Sequence, residues 1–348
     1  MPAQRWPASG EGIVSCTPKP QNWPMFADAA RAFWIVASGR GEVRNELLTP
    51  PLAGEVVVRA LYSGISRGTE TLVFQGRVPV TEYERMRAPF QAGTFPAPVK
   101  YGYASVGRVE SGPSDLEHRN VFVLYPHQTR YVVPTESIHL VPENVPPERA
   151  VLAANLEAAI NGLWDARPHV GDRIAVVGAG AIGCLIAWLA GRIAGCEVEL
   201  VDIDPARAAV ADALGVRFKR PETASGRADV VIHASGSPSG LELALRLAGF
   251  EATVVEMSWY GDQAVPIPLG EAFHALRLSV KSSQVGSVAP AQRGRWNTRR
   301  RMHLALTLLA DAALDALITG ESEFEMLPVT MTQIANGADG TLCHRIRY

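Results

Sequence analysis

Three closely spaced glycines near the middle of the chain form a pattern that could bind phosphate groups. An apolar run at 174–177 leads into Gly178, Gly180 and Gly183, and the apolar sequence after them predicts a helix. The first glycine allows a tight turn, the second leaves room for a diphosphate, and the third lets the helix pack closely on the strand. Free N–H groups at the start of such a helix also attract anions. The pattern therefore predicts a dinucleotide-binding βαβ unit that begins at Arg173.

A carboxylate follows these glycines at the distance along the chain that a dinucleotide site requires. Asp202 ends the next predicted strand, about 20 positions after Gly183. Its carboxylate can accept hydrogen bonds from both ribose hydroxyls of an adenosine, and it would repel the 2′-phosphate of NADP. We therefore expect NAD(H) as the cofactor. Arg207 leaves an alternative open, because its guanidinium could cover the adenine or help to hold a phosphate.

The carboxyl ends of two later predicted strands, at 233–236 and 257–259, should also face the cofactor. Ligands of parallel sheets bind outside the carboxyl ends of the strands. His233 at one of these ends is expected to be packed or hydrogen-bonded rather than an acid–base group. The cofactor contacts expected from these arguments are Gly178, Gly180, Ala181, Ile182, Gly183, Asp202, Ile203, Arg207, Ser235, Gly236, Met257 and Ser258.

Strand and helix patterns change in character near Pro146. Before it, β-branched and aromatic runs such as 55–62 are separated by Gly and Pro, which predicts a mainly β domain. After Gly171 strands and helices alternate, which is typical of a doubly wound parallel sheet. Helices are predicted at 147–165 and 298–313. The predicted division is an N-terminal arm at 1–30, a first catalytic part at 31–155, a dinucleotide-binding domain at 156–294 and a return to the catalytic domain at 295–348.

Length and composition fit two packed domains and argue against several classes of partner. The chain has 348 residues, 47% of them hydrophobic, and a formal net charge of −2. This balance gives no electrostatic reason to expect binding to nucleic acid or to an anionic membrane. The four cysteines are scattered, which argues against a disulfide framework or a cysteine-rich zinc site. Because neither a signal-peptide pattern nor a long apolar run is found, we expect a cytoplasmic protein.

The order of these features resembles the medium-chain dehydrogenase/reductase superfamily, of the alcohol dehydrogenase type. The likeness runs from Arg31 to Tyr348 and includes the entry Gly171-Asp172-Arg173 into the first strand of the nucleotide domain. It implies an α/β fold in which a Rossmann doubly wound parallel sheet joins a mainly β, GroES-like catalytic domain. The segments 63–70 and 105–109 are similar to a branch that includes bacteriochlorophyllide dehydrogenase, which suggests lineage and does not fix a substrate.

The resemblance also identifies the positions at which other members hold a catalytic zinc ion. Here those positions carry Ser66, Tyr103 and Ala154, although Asn155 or Glu157 could shift into the third. A hydroxyl, a phenol and a methyl group do not hold Zn²⁺, which prefers thiolate, imidazole or carboxylate ligands. The four-cysteine structural lobe is missing as well. We therefore expect no zinc.

Several polar residues could replace the chemistry of the missing metal. Hydride transfer to a carbonyl still needs a proton donor or a charge stabiliser. Tyr103 should point at the substrate, or it could simply fill the vacated metal position. His127 could act in catalysis or be a satisfied loop histidine, and Glu157 is either buried with a partner or faces the cleft. The candidate catalytic residues are Tyr103, His127, Glu157, Thr69 and Glu70.

The resemblance adds two cofactor contacts outside the glycine-rich unit. Arg67 matches a position that contacts the diphosphate, with a surface salt bridge as the alternative, and Ser283 lies in a segment that approaches the nicotinamide. A basic cluster between Arg293 and Arg301 comes next. It could bind an anion, but such a run is more often a solvated helix start or a subunit contact.

Together these features predict a zinc-independent oxidoreductase that transfers a hydride between NAD(H) and an alcohol- or ketone-type small molecule. Reduction of an enone or quinone with NAD(P)H is one alternative, although Asp202 argues against NADPH. A non-catalytic NAD(H)-binding protein is the other. The resemblance suggests a homodimer that forms through the edge strand at 277–281.

Overall fold

Two mainly antiparallel sheets and one parallel sheet organise the protein. The computed structural model describes residues 29–337 and 340–348. The predicted arm at 1–30, apart from its last two residues, lies outside the described residues, and so does Cys16.

The first part of the chain is built almost entirely from strands. They are β1 (Ala29–Ala37), β2 (Arg40–Leu47), β3 (Glu55–Ser66), β4 (Ala92–Gly93), β5 (Val99–Lys100), β6 (Ser105–Ser111), β7 (Asn120–Val123), β8 (Arg130–Pro134) and β9 (His139–Leu140). A short helix, α1 (Arg67–Phe74), follows β3 directly.

Helices alternate with strands in the rest of the chain. The helices are α2 (Pro147–Ala150), α3 (Ala153–Ala166), α4 (Ala181–Ala190), α5 (Arg207–Ala213), α6 (Pro238–Leu247), α7 (Thr298–Leu308) and α8 (Leu327–Ala335). The strands are β10 (Arg173–Val177), β11 (Glu197–Val201), β12 (Arg217–Lys219), β13 (Ala228–His233), β14 (Ala248–Glu256), β15 (Ser279–Ser282), β16 (Ile318–Glu323) and β17 (Cys343–Arg347).

The parallel sheet has six strands in the order β12-β11-β10-β13-β14-β15. Apart from its first residue, β10 is buried, as expected for a strand that helices cover on both faces. The chain runs outward from β10 to β12 and then returns to the other side of β10 as β13. The strand order therefore reverses between β10 and β13, and ligands of such sheets bind at this point. This topology confirms the predicted doubly wound parallel sheet.

The end of the chain returns to the sheets that the first part forms. A seven-stranded sheet has the order β16-β17-β3-β6-β7-β9, with β8 also paired to β3, and a four-stranded sheet has the order β2-β1-β5-β4. In β17, residues 343–347 pair with residues 62–66 of β3. This pairing brings Cys343, the first residue of β17, beside the start of α1, and the predicted α/β fold with a second, mainly β part is confirmed.

Three local expectations need correction. The helix expected at 147–165 is two helices, because the N–H of Leu152 donates to the carbonyl of Arg149, three residues back, and breaks the α-helical pattern. The helix expected at 298–313 ends at Leu308. Strand β2 was not predicted, because its sequence RGEVRNEL is mostly polar and it forms by pairing with β1. The domain boundaries stay predictions, and the one at 155 falls inside α3.

None of the helices in the part of the chain that the structure describes is long and apolar enough to cross a lipid bilayer.

Candidate active site and dinucleotide cleft

The glycine-rich turn joins β10 to α4 and leaves open space at its middle glycine. Gly178 has a φ of +108°, and a Cβ atom there would lie 2.6 Å from the backbone of Ser235. A Cβ atom on Gly183 would lie 1.8 Å from the carbonyl oxygen of Gly178. A Cβ atom on Gly180 would meet no heavy atom within 4 Å. Backbone packing thus requires the outer glycines, and the space beside the middle one fits a diphosphate at the start of α4.

Asp202 follows β11 and reaches this turn. Its Oδ2 accepts the N–H of Ala179 at 2.6 Å, and its Oδ1 accepts the N–H of Asp204 at 2.8 Å. Ile203 beside it is 76% exposed. The carboxylate therefore lies at the edge of the turn, where the ribose next to a bound diphosphate would be.

The two arginines expected at the cofactor meet at one backbone segment. Arg207 is buried, donates to the carbonyl of Gly340 at 3.0 Å and pairs with Asp204 at 3.2 Å. Arg67 is exposed and donates to the carbonyl of Thr341 at 2.9 Å. We had expected Arg67 either to contact the diphosphate or to form a surface salt bridge, and this hydrogen bond to a backbone carbonyl was not predicted. Contact of either guanidinium with a phosphate stays a prediction.

Residues after the next strands surround the same edge of the sheet. The N–H of Gly236 donates to Ser258 Oγ at 3.0 Å, which joins the ends of β13 and β14. A Cβ atom on Gly162 of α3 would lie 2.5 Å from the sulfur of Met257, so Met257 packs against that helix. The hydroxyl of Ser283 donates to Asp165 at 2.8 Å. Ser283 is thus held against α3.

The candidate catalytic residues other than Glu157 come together where β3 enters α1. Ser66 precedes the helix, and its N–H donates to Glu70 Oε1 at 2.8 Å. Glu70 Oε2 lies 2.9 Å from His127 Nε2. Thr69 lies on the same first turn of α1. Ser66 and Glu70 are in contact because Ser66 ends β3, and α1, which carries Thr69 and Glu70, begins at the next residue.

A buried relay of four residues continues from Glu70 to the C-terminus. His127 Nδ1 lies 2.7 Å from Ser63 Oγ, which lies 2.9 Å from the hydroxyl of Tyr348. Glu70, His127 and Ser63 are each at most 3% exposed. His127 is therefore a satisfied histidine behind the cleft. No sequence pattern pointed to Ser63 or Tyr348, which are 285 positions apart.

Tyr103 lies beside this relay and between two hydrophobic core clusters. Burial and the charge of Glu70 raise the pKa of Tyr103 to about 12, although hydrogen bonds with the side chains of Ser66 and Thr69 act in the opposite direction. The phenol therefore remains protonated at neutral pH and can donate a proton.

For Glu157, the structure decides between the two expected alternatives, burial with a partner and exposure to the cleft. It is 5% exposed, and its Oε1 accepts a hydrogen bond from Arg301 Nε at 3.0 Å. Burial raises the pKa of Glu157, while Arg301 acts in the opposite direction. Arg301 also donates to Asn161 and to the carbonyl of Val285. Glu157 is thus buried with a partner, and Arg301 is not part of a solvated helix start.

Comparison with known proteins supports the fold and the lineage. D-guloside 3-dehydrogenase of Escherichia coli is 25% identical over 295 residues, which cover 76% of this chain and 83% of that protein. 2-Desacetyl-2-hydroxyethyl bacteriochlorophyllide A dehydrogenase of Rhodobacter capsulatus is 28% identical over 69% of this chain and 76% of that protein. The solved structure of L-idonate 5-dehydrogenase from Escherichia coli superposes with a TM-score of 0.75 at 16% identity, over 92% of this chain and 98% of that chain. In sequence and in fold, the chain is therefore similar to dehydrogenases of the medium-chain superfamily.

The named relatives are dehydrogenases, which supports an enzyme of the oxidoreductase class. The family described as ketopantoate reductase PanE/ApbA also matches residues 174–245. That range begins in β10 and ends in α6, so this match covers the glycine-rich turn and the reversal of the strand order.

The residues at the positions where zinc-dependent medium-chain dehydrogenases hold the metal do not fit it in this chain. Ser66, Tyr103 and Ala154 offer two hydroxyls and a methyl group, whereas Zn²⁺ prefers thiolate, imidazole and carboxylate. Cys343 pairs with Ser66 across the sheet, but burial and the charge of Glu70 raise the pKa of its thiol to about 12. Within residues 29–337 and 340–348, no three His, Cys, Asp or Glu side chains form a group that could hold a metal ion.

Proposed function

We propose that this protein transfers a hydride between NAD(H) and an alcohol or ketone carbon without zinc. The observation that carries the proposal is the position of Tyr103, which hydrogen-bonds the side chains of Ser66 and Thr69 where zinc-dependent members hold the metal. Bound NADH would supply the hydride to the carbonyl carbon. Relatives named as dehydrogenases of a guloside and of a hydroxyethyl bacteriochlorophyllide support an alcohol or ketone carbon as the reacting centre.

The glycine-rich turn and Asp202 would hold the cofactor. The start of α4 offers N–H groups to the diphosphate, and the open space beside Gly180 lets it approach. Asp202 carries a negative charge at the edge of the turn, which favours two ribose hydroxyls over the 2′-phosphate of NADP. Arg67, Arg207 and the strand-end residues Ser235, Gly236, Met257, Ser258 and Ser283 remain proposed contacts.

Tyr103 would act as the proton donor during carbonyl reduction. Its raised pKa keeps the phenol neutral, so that its O–H can hydrogen-bond the carbonyl oxygen as negative charge develops there, and the phenolate left by proton transfer would take up a proton from solvent. A donor aimed at the carbonyl oxygen stabilises the negative charge that develops there. Thr69 and Ser66 orient the phenol through hydrogen bonds, and the Glu70–His127 pair fixes the helix turn that carries Thr69.

The test is a screen of aldehydes, ketones, enones and quinones, in which NADH consumption is followed by its absorbance. We expect reduction of a ketone or aldehyde with NADH, unchanged after dialysis against a strong chelator. Activity that chelation abolishes and zinc restores would refute the metal-free proposal. Reduction of enones or quinones alone, with NADPH preferred, would instead establish the other class of reductase.

The exposed edge of the parallel sheet is the proposed homodimer contact. Among the strands that the structure describes, β15 pairs with β14 alone, and Ser279, Val280 and Ser282 are exposed. An unpaired edge strand offers N–H and C=O groups to a second copy of the chain. Light scattering should give twice the mass of one chain, and substitution of Val280 by Pro should give a monomer.

A further inference from the structure

A row of aromatic rings leads away from Tyr103, the proposed proton donor. Tyr103 contacts Tyr101 at 6.0 Å between ring centroids, and Tyr101 contacts Phe95 at 5.7 Å. Phe95 in turn lies 5.7 Å from Tyr83. The inner rings of Phe95 and Tyr101 are each 4% exposed and belong to the core. The rings at the two ends of the row are half-buried, so part of their apolar surface stays open.

Met86 and Trp259 extend this open apolar surface. Both are half-buried, and both pack on the same core cluster as Tyr83 and Tyr103. The other described side chains of that cluster lie at 33–103 or 324–348, whereas Trp259 follows β14 of the parallel sheet. Ligands of parallel sheets bind outside the carboxyl ends of the strands, where Trp259 lies. These four half-buried side chains, Tyr83, Met86, Tyr103 and Trp259, form what we call the aromatic wall.

The loop that carries Trp259 is held against the mainly β part of the chain. The N–H of Asp262 donates to the carbonyl of Arg77 at 3.1 Å, and Nε of Arg77 donates to the Asp262 carboxylate at 3.0 Å. A Cβ atom on Gly261 would lie 2.5 Å from the same carbonyl oxygen, so the two backbones are in close contact. Arg77 follows α1, whose first turn hydrogen-bonds Tyr103. These contacts hold Trp259 in a fixed position relative to the proposed proton donor.

The polar groups beside Tyr103 are already paired within the protein. The side chains of Ser66 and Thr69 hydrogen-bond its phenol. Glu70 accepts the N–H of Ser66 at 2.8 Å and lies 2.9 Å from His127. A sugar-like substrate would lose water from its hydroxyl groups against the wall, and hydroxyl groups left without partners lower the affinity. An apolar body gains affinity from the same surface, because the burial of apolar area is favourable.

We infer that the substrate carries its reacting carbonyl or alcohol carbon next to a flat, uncharged, apolar body such as an aryl ring, and that the aromatic wall binds this body. Aromatic side chains stack on such rings or meet them edge to face, and the flexible thioether of Met86 fits against them. The inference rests on the proposed function, because it places the reacting oxygen at Tyr103. It adds a class of substrate and makes Met86 and Trp259 specificity-determining residues.

Steady-state reduction of three related ketones with NADH tests the inference. Butanone is the reference, benzylacetone adds a phenyl ring to the same carbon skeleton, and erythrulose adds hydroxyl groups to it. We expect kcat/KM for benzylacetone to exceed that for butanone at least about tenfold, because the wall buries the added ring. Erythrulose should be reduced no better than butanone, because its hydroxyl groups find no partners on the wall.

Substitution of Trp259 tests whether the wall is the cause of this preference. Trp259→Ala should lower kcat/KM for benzylacetone about tenfold, mainly through a higher KM, and should leave kcat/KM for butanone within about twofold of wild type. Trp259→Phe keeps an aromatic ring and should restore most of the loss. Trp296→Ala is the matched control, because Trp296 is also half-buried but packs on Trp164 outside the wall, and it should change neither value.

The outcomes separate the inference from the proposed function. Erythrulose reduced at least as efficiently as benzylacetone would overturn the inference and leave the proposed function intact. Equal losses for benzylacetone and butanone in Trp259→Ala would do the same, because a wall that binds the apolar body must distinguish the two ketones. If no carbonyl compound consumes NADH, the proposed function fails and the inference fails with it.

Discussion

Replacement of Tyr103 by Phe removes a single oxygen from the proposed site and keeps the aromatic ring. The ring packs between two core clusters and makes an edge contact with Tyr101 at 6.0 Å between centroids. Only the hydrogen bonds with Ser66 and Thr69 are lost. We therefore expect the free energy of unfolding to fall by about 1 kcal/mol, the usual net value of a hydrogen bond.

The expected effect of this change on catalysis is much larger. With a pKa of about 12, roughly one Tyr103 side chain in 100,000 is ionised at pH 7, so nearly every molecule carries the donor. Loss of one donor to a developing oxyanion lowers kcat by about 100- to 1000-fold. The contribution of Tyr103 to carbonyl reduction should also stay constant as the pH rises from 7 to about 10, because the raised pKa preserves the neutral form.

Steady-state kinetics of carbonyl reduction, together with chemical denaturation, measure both effects. Tyr101→Phe is the matched control, because it removes the hydroxyl of a buried neighbour and should retain kcat. NADH affinity should be the same in both variants. A Tyr103→Phe enzyme that keeps more than about a third of its kcat, well outside the range for a lost donor, would refute the proton-donor role.

Three further predictions follow from the packing. Gly180→Ala should leave the melting temperature unchanged but weaken NADH binding more than about tenfold, because the added methyl group meets no described protein atom and would enter the space proposed for the diphosphate. Gly183→Ala should lower both the melting temperature and the affinity through the clash with the carbonyl of Gly178. Calorimetry and thermal unfolding distinguish the two variants. Glu157→Ala should lower the free energy of unfolding by about 3–5 kcal/mol, because it leaves Arg301 buried without its carboxylate partner. Urea denaturation measures this loss, and kcat should stay unchanged because Glu157 is not expected to take part in catalysis. His127→Ala should cost about 1–3 kcal/mol of stability, since it leaves buried polar groups unpaired, and a stability equal to that of wild type would contradict the buried relay.

The sequence predicted the parallel sheet well because local patterns encode it. Strand β10 begins at Arg173 as predicted and is an apolar run that ends before a glycine, whereas β11 ends at Val201, one residue before the predicted end at Asp202. The glycine-rich turn was recognisable because its three glycines lie close together in the sequence, and the steric limit on Gly183 comes from the nearby carbonyl of Gly178.

Contacts between distant parts of the chain could not be predicted in this way. Tyr348 reaches Ser63 only because β17 pairs with β3, and nothing near either residue signals that pairing. Arg301 looked like one of several solvated arginines, yet folding buries it against Glu157, 144 positions earlier. His233 is buried and hydrogen-bonded to Glu256, and this pairing likewise depends on the register between β13 and β14, which sequence periodicity does not define.

Calorimetric titration of the wild-type protein with NADH and with NADPH tests the central claim most directly. The cradle at Gly178–Gly183 and the carboxylate of Asp202 predict one binding site per chain, with NADH bound at least about tenfold more tightly than NADPH. Absence of binding by either nucleotide, or tighter binding of NADPH, would contradict the account.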